Sequence, residues 1–171
     1  LAGKTTEDWS LTHLHPLLMR SQWKDLLECV ATLSQLKRPN MIHEALSNRD
    51  DREATALHTA AWKAPPKLAR LIMDLIPYEE RKQYLLSVDS DGNTPLHLAC
   101  ANLDELADFI IIKHVLVMAP EALEMGNNSD DSPLHLLVCS PCFRRGADFA
   151  VDTAAEDVTT CLSYTSRTSR I

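Results

Sequence analysis

Glycine is scarce in this chain, with four in 171 residues. A phosphate-cradling loop needs several close together, so nucleotide binding of that kind is excluded. Aromatic residues make up only 5%. The interior must therefore be built from Leu, Ile, Val and Ala, which suits closely packed helices better than a sheet sandwich. Positive charge is also short: 17 basic residues face 24 acidic ones, for a net charge of −7. That balance repels nucleic acid and anionic lipid unless a basic cluster overrides it, and none is present. The longest apolar run, Phe109-Ile110-Ile111-Ile112, is broken by Lys113 and His114, far below the roughly 20 residues of a membrane span. No signal-peptide pattern opens the chain, although a start at Leu1 points to excision from a longer protein. Five cysteines, at 29, 100, 139, 142 and 161, lack the density of a disulfide scaffold, which favours a reduced compartment, the cytoplasm or nucleus.

What the chain does have is repetition. Asp91-Gly92-Asn93-Thr94-Pro95-Leu96-His97-Leu98-Ala99-Cys100 is echoed by Thr55-Ala56-Leu57-His58, by Ser132-Pro133-Leu134-His135 and, weakly, by Thr12-His13-Leu14-His15. The intervals between the leading hydroxyl residues are 43, 39 and 38, a period typical of stacked supersecondary units. Pro39, Pro77 and Pro120 recur at intervals of 38 and 43, each ahead of a short apolar-ended segment. Each unit thus reads as a motif, a helix, a second helix, a proline and a short third segment.

In chain order, the first unit predicts a short helix over 14–19 and a second capped by Ser21, with Trp23, Leu26, Leu27 and Val30 as its buried stripe. Pro65-Pro66 separates the two helices of the next unit. The second of these carries the stripe Leu68, Leu71, Ile72, Leu75 and Ile76. The third unit predicts a helix from about Asp104 to Met118, with Leu106, Phe109, Ile110 and Leu116 facing inward. Ile111, Ile112, Val115 and Val117 widen its apolar surface toward burial on two sides. After the fourth motif the pattern decays. A weak helix is expected over 147–162, and from Thr159 onward seven of thirteen residues are Ser or Thr, which predicts a frayed tail.

Within the best copy, Gly92 permits a tight turn with positive φ, Thr94 caps the next helix, and Pro95 takes its first position. His97 is expected to bridge to the backbone of a turn, and its repetition argues for a repeated structural job. Ala99, Ala60 and Ala61 let helices approach closely.

This arrangement resembles the ankyrin repeat, whose hallmark is Thr-Pro-Leu-His ahead of a small-residue helix, a second helix and a projecting β-turn. The resemblance covers about residues 9 to 140. It implies an all-α solenoid of about four stacked helical hairpins, over 9–47, 50–87, 89–125 and 127–145, with 146–171 diverged or frayed. The period exceeds the family's about 33 residues, and the excess falls in the proline-led segments. The usual Gly-His between helices is replaced by Ser21-Gln22, Ala64-Pro65 and Leu103-Asp104. Glu53 and Asp130 stand where Gly92 stands, which predicts distorted or less projecting turns.

The resemblance implies a non-catalytic scaffold that holds a protein or peptide along turn tips and first-helix ridges. The tip residues are Asp51, Arg52, Ser90, Asp91, Asn93, Asn128, Ser129 and Asp131. The ridge residues are Met19, Arg20, Trp62, Lys63, Ala101, Asn102, Cys139 and Ser140, with Trp62 beside Lys63 as the leading anchor. Stacked acidic turns, Asp50-Asp51, Asp89 with Asp91, and Asp130-Asp131, would favour a basic peptide; ordinary turn chemistry is the competing explanation. No nucleophile stands in a recognisable frame with the motif histidines, so no enzyme and no cofactor is expected. Two alternatives are a thiol or metal site from His135, Cys139 and Cys142, and a segment of a larger regulatory protein without its own partner.

Overall fold

Proline decides where four of these helices begin. The computed structural model describes residues 14–36, 38–103 and 109–140. In chain order the helices are α1 (Leu14–Met19), α2 (Trp23–Leu36), α3 (Pro39–Ser47), α4 (Ala56–Lys63), α5 (Pro66–Asp74), α6 (Arg81–Leu85), α7 (Pro95–Ala101), α8 (Phe109–Met118) and α9 (Pro133–Cys139). Short 3-10 turns span Tyr78–Glu80 and Pro120–Glu124. Helices α3, α5, α7 and α9 each start on a proline, where the missing N–H is one that an α-helix leaves unpaired anyway. Expectations for Trp9, Thr12, His13, Leu106, Cys142, the helix over 147–162 and the tail 146–171 lie outside the described residues.

The motif helices form one column: α4 packs between α1 and α7, and α7 meets α9. Beside it, α5 packs against α2 and α8. The result is an all-α, ankyrin-like solenoid of helical hairpins, with no strand among the described residues and only an isolated bridge between Arg49 and Thr55. The motif leucines drive the stack. Leu57 and Leu96 are completely buried, each worth about 1.5–3 kcal/mol of transfer free energy. Ala56 and Ala60 are equally buried, and their lack of bulk is what allows α4 to touch neighbours on both sides.

Several expected faces are rotated. On α2, Leu27 is exposed while Leu26, Cys29, Val30 and Leu33 are buried. On α5, Leu71 is exposed and Leu68, Ala69, Ile72 and Met73 form the inner face. On α8 the buried set is Phe109, Ile111, Ile112, Val115 and Leu116, while Ile110 and Val117 face out. Ser21 is not the cap of α2. It takes a left-handed φ of 55° in the link between α1 and α2, the conformation that a glycine at that place would adopt most cheaply.

The proline-led third segments, which lengthen each unit, are short helices joined across units. Tyr84 of α6 pairs its hydroxyl with His43 Nδ1 of α3, and Lys82 pairs with Glu121 of the following unit.

Candidate interaction groove

Three successive turns have one geometry. Asp50, Asp89 and Asn127 each accept two backbone N–H bonds through Oδ1, from Arg52 and Ala54, from Asp91 and Asn93, and from Ser129 and Asp131. Each also donates its own N–H to the carbonyl four residues on. The fourth residue is left-handed every time: Glu53 at φ 58°, Gly92 at 76° and Asp130 at 61°. The turns at Glu53 and Asp130 are therefore not distorted, because local hydrogen bonds impose the same conformation on a residue with a Cβ. Neighbouring tips are also bonded to each other, Ser90 N–H to Arg52 O and Asn128 N–H to Asp91 O. A Cβ on Gly92 would lie 2.5 Å from Asn128 Oδ1 and 2.8 Å from its backbone nitrogen, so glycine is needed there for space as well as for φ.

The motif histidines tie turn to helix. The Thr55 N–H donates to His58 Nδ1 at 3.1 Å, which leaves the ring proton on Nε2. That proton is donated to the Asn93 carbonyl of the next turn at 2.9 Å. His97 repeats the scheme, with Thr94 N–H at 3.1 Å and the Asp131 carbonyl at 3.0 Å. Burial pushes both imidazoles below their ordinary value, opposed by these carbonyl bonds and by the negative field of Asp89. His135 keeps the local part of the scheme, accepting the Ser132 N–H at 3.0 Å. His15 departs from it: its Nε2 lies 2.9 Å from Thr59 Oγ1 and 3.5 Å from Asp50 Oδ2.

Tips and first helices together enclose a groove of about 460 Å³ lined by His15, Met19, Asp50, Asp51, Arg52, His58, Thr59, Trp62, Asp89, Asp91, Asn93 and Leu98. Four carboxylates and one guanidinium therefore share its walls. Asp50 and Asp89 spend an oxygen on their turns, whereas Asp51 and Asp91 are exposed, with no side-chain bond among the described residues. Trp62 is 44% exposed and divides this groove from a second hollow lined by Trp23, Pro65, Pro66 and Asn102.

The proposed tip residues Asp51, Arg52, Ser90, Asp91, Asn128 and Ser129 are all exposed; Asn93 and Asp131 are half-buried and lend their carbonyls to His58 and His97. On the ridge, Met19, Arg20, Trp62, Lys63, Ala101, Asn102 and Cys139 are exposed. Ser140 is buried instead, and so offers nothing to a partner. Lys63 and Asn102 also hold the stack together, Lys63 Nζ donating to the Met19 carbonyl at 2.8 Å and Asn102 Nδ2 to that of Trp62. Sequence reasoning missed Thr59 and Leu98 as groove residues. Both stand four places after the motif threonine, and that shared register was the available signal. Among the described residues no group of three or more His, Cys, Asp or Glu could hold a metal, and Cys142 lies outside them.

A family model described as the ankyrin repeat matches residues 91–119. NF-kappa-B inhibitor delta of Homo sapiens is 30% identical over 128 residues, covering 75% of this chain and 38% of the relative. The Mus musculus protein of the same name is 30% identical over 126 residues, covering 74% and 36%. The chain thus spans well under half the length of these curated relatives. A chain in the crystal structure of the yeast ribosomal protein Rps3 in complex with its chaperone Yar1 superposes with a TM-score of 0.60 at 18% identity, over 80% of this chain and 92% of that one.

Proposed function

We propose that this chain, an ankyrin-repeat protein, is a non-catalytic interaction scaffold that seats a basic segment of a partner protein in the groove between its turn tips and first helices. One observation carries the reading: Asp50, Asp51, Asp89 and Asp91 share a groove wall with the half-exposed indole of Trp62. A lysine- or arginine-bearing segment would satisfy the exposed carboxylates of Asp51 and Asp91 while an apolar side chain packs on Trp62. Tryptophan is enriched among the few residues that carry most of an interface's binding energy. Lys63 Nζ lies 5.9 Å from the centre of that ring.

The relatives' name makes NF-kappa-B the first partner to test. Changing Trp62 and Lys63 together to Ala is expected to lower affinity by about 2 kcal/mol, roughly 30-fold, with unchanged helical circular dichroism. Asp51→Asn with Asp91→Asn should weaken binding less and flatten its dependence on salt. Unchanged affinity in both variants would remove the groove as the binding site. Because the chain covers only 38% of the human relative, a second reading is that it acts as one segment of a larger regulatory protein. Full affinity only in a longer chain would favour that reading.

A further inference from the structure

Tyr78 lies away from the groove and is placed unlike the other described tyrosine. It opens the turn Tyr78–Glu80 directly after Pro77 and is 78% exposed. Tyr84 is 5% exposed, its hydroxyl held by His43 Nδ1 and, at 3.4 Å, by Ser47 Oγ. Only one of the two phenols is therefore free to react with a reagent from solution. Its flanks carry a pattern as well: Pro77 precedes it in an extended conformation, φ −55° and ψ 143°, and Glu79, Glu80 and Arg81 follow.

We propose that Tyr78 is a phosphorylation site for a protein tyrosine kinase whose substrate cleft selects acidic residues after the acceptor. Such clefts hold their substrates as extended segments and discriminate by charge pattern. Pro77 supplies the extended entry, and Glu79 and Glu80 supply the charge. The turn itself is closed by two backbone bonds, Glu80 N–H to Pro77 O and Arg81 N–H to Tyr78 O, few enough for the segment to open locally. In the transfer the Tyr78 oxygen bonds to the γ-phosphorus of a nucleoside triphosphate as the bond from that phosphorus to the bridging β,γ-oxygen breaks. The nucleoside diphosphate leaves with the electron pair, and the phenolic proton passes to the kinase's carboxylate base. Arg81, whose guanidinium carbon lies 5.3 Å from the Tyr78 ring centre, brings a positive charge near the new dianion.

The test is to incubate the whole folded chain with the catalytic domain of an acid-directed tyrosine kinase and magnesium nucleotide, beside a free peptide of residues 72–86. Intact mass and peptide mapping should find one phosphoryl group, on Tyr78. Tyr78→Phe should lose it, Tyr84→Phe should keep it, and Glu79→Gln with Glu80→Gln should slow its appearance. Labelling of the peptide but not of the folded chain would overturn the proposal. So would phosphate on Tyr84 or Tyr164 instead, or an unlabelled peptide.

Discussion

Gly92, Glu53 and Asp130 occupy one place in three successive turns and adopt one left-handed conformation, yet only the glycine does so without steric cost. Two opposite predictions follow from this inequality. Gly92→Ala should destabilise the fold by about 2–4 kcal/mol, since the new Cβ suffers both the φ penalty and a clash with a neighbour that is backbone. Asp130→Gly should stabilise it by about 1 kcal/mol by removing the same penalty. Urea midpoints of the two variants against the parent check both signs. At this scale the turn-forming role of Asp50 and Asp89 was readable from local chemistry alone. The undistorted turns at Glu53 and Asp130 were not, because they depend on four hydrogen bonds per turn, the fourth from Glu53 N–H to Asp50 O and from Asp130 N–H to Asn127 O, overriding the side chain's own preference.

At the scale of the element, small residues matter as much as large ones. Ala60 is fully buried in α4, the helix that packs between α1 and α7. Ala60→Leu should therefore cost about 1–3 kcal/mol by prising neighbouring units apart, seen as a lower thermal midpoint. A leucine at exposed Lys67 should leave the midpoint nearly unchanged. Proline and apolar positions at helical spacing announced the helices, and the starts of α4, α7 and α9 were legible from the capping residues Thr55, Thr94 and Ser132. Which edge of each stripe is covered was less so. A helical period marks an arc of roughly 100°, and the position of the neighbouring helix decides whether Leu71 or Ala69 lies beneath it. Helix α8 is apolar almost all round, so periodicity could not choose between Ile110 and Ile111.

Across the whole molecule, the buried histidines couple stacking to pH. His58 and His97 have pKa values lowered by burial, so in acid the unfolded chain binds more protons than the folded one. Their contribution is complete above the ordinary value of 6.5 and is lost as pH falls through the lower folded-state values. Unfolding free energy should thus fall as pH drops below about 6.5, more steeply than in His58→Gln with His97→Gln. A slope unaffected by the double change would show that these rings do not carry the acid sensitivity. The sequence by itself determined the all-helical class, the unit near 40 residues, the capped motif and the bridging histidine, because each rests on contacts within a few residues or on a motif that recurs from unit to unit. Only the tertiary structure decided that His15 turns to Thr59 and Asp50, that Lys63 and Asn102 clamp the preceding unit, and that Ser140 is buried. Those outcomes depend on side chains some 40 residues apart in sequence meeting in space, and that distance is set by how the units stack.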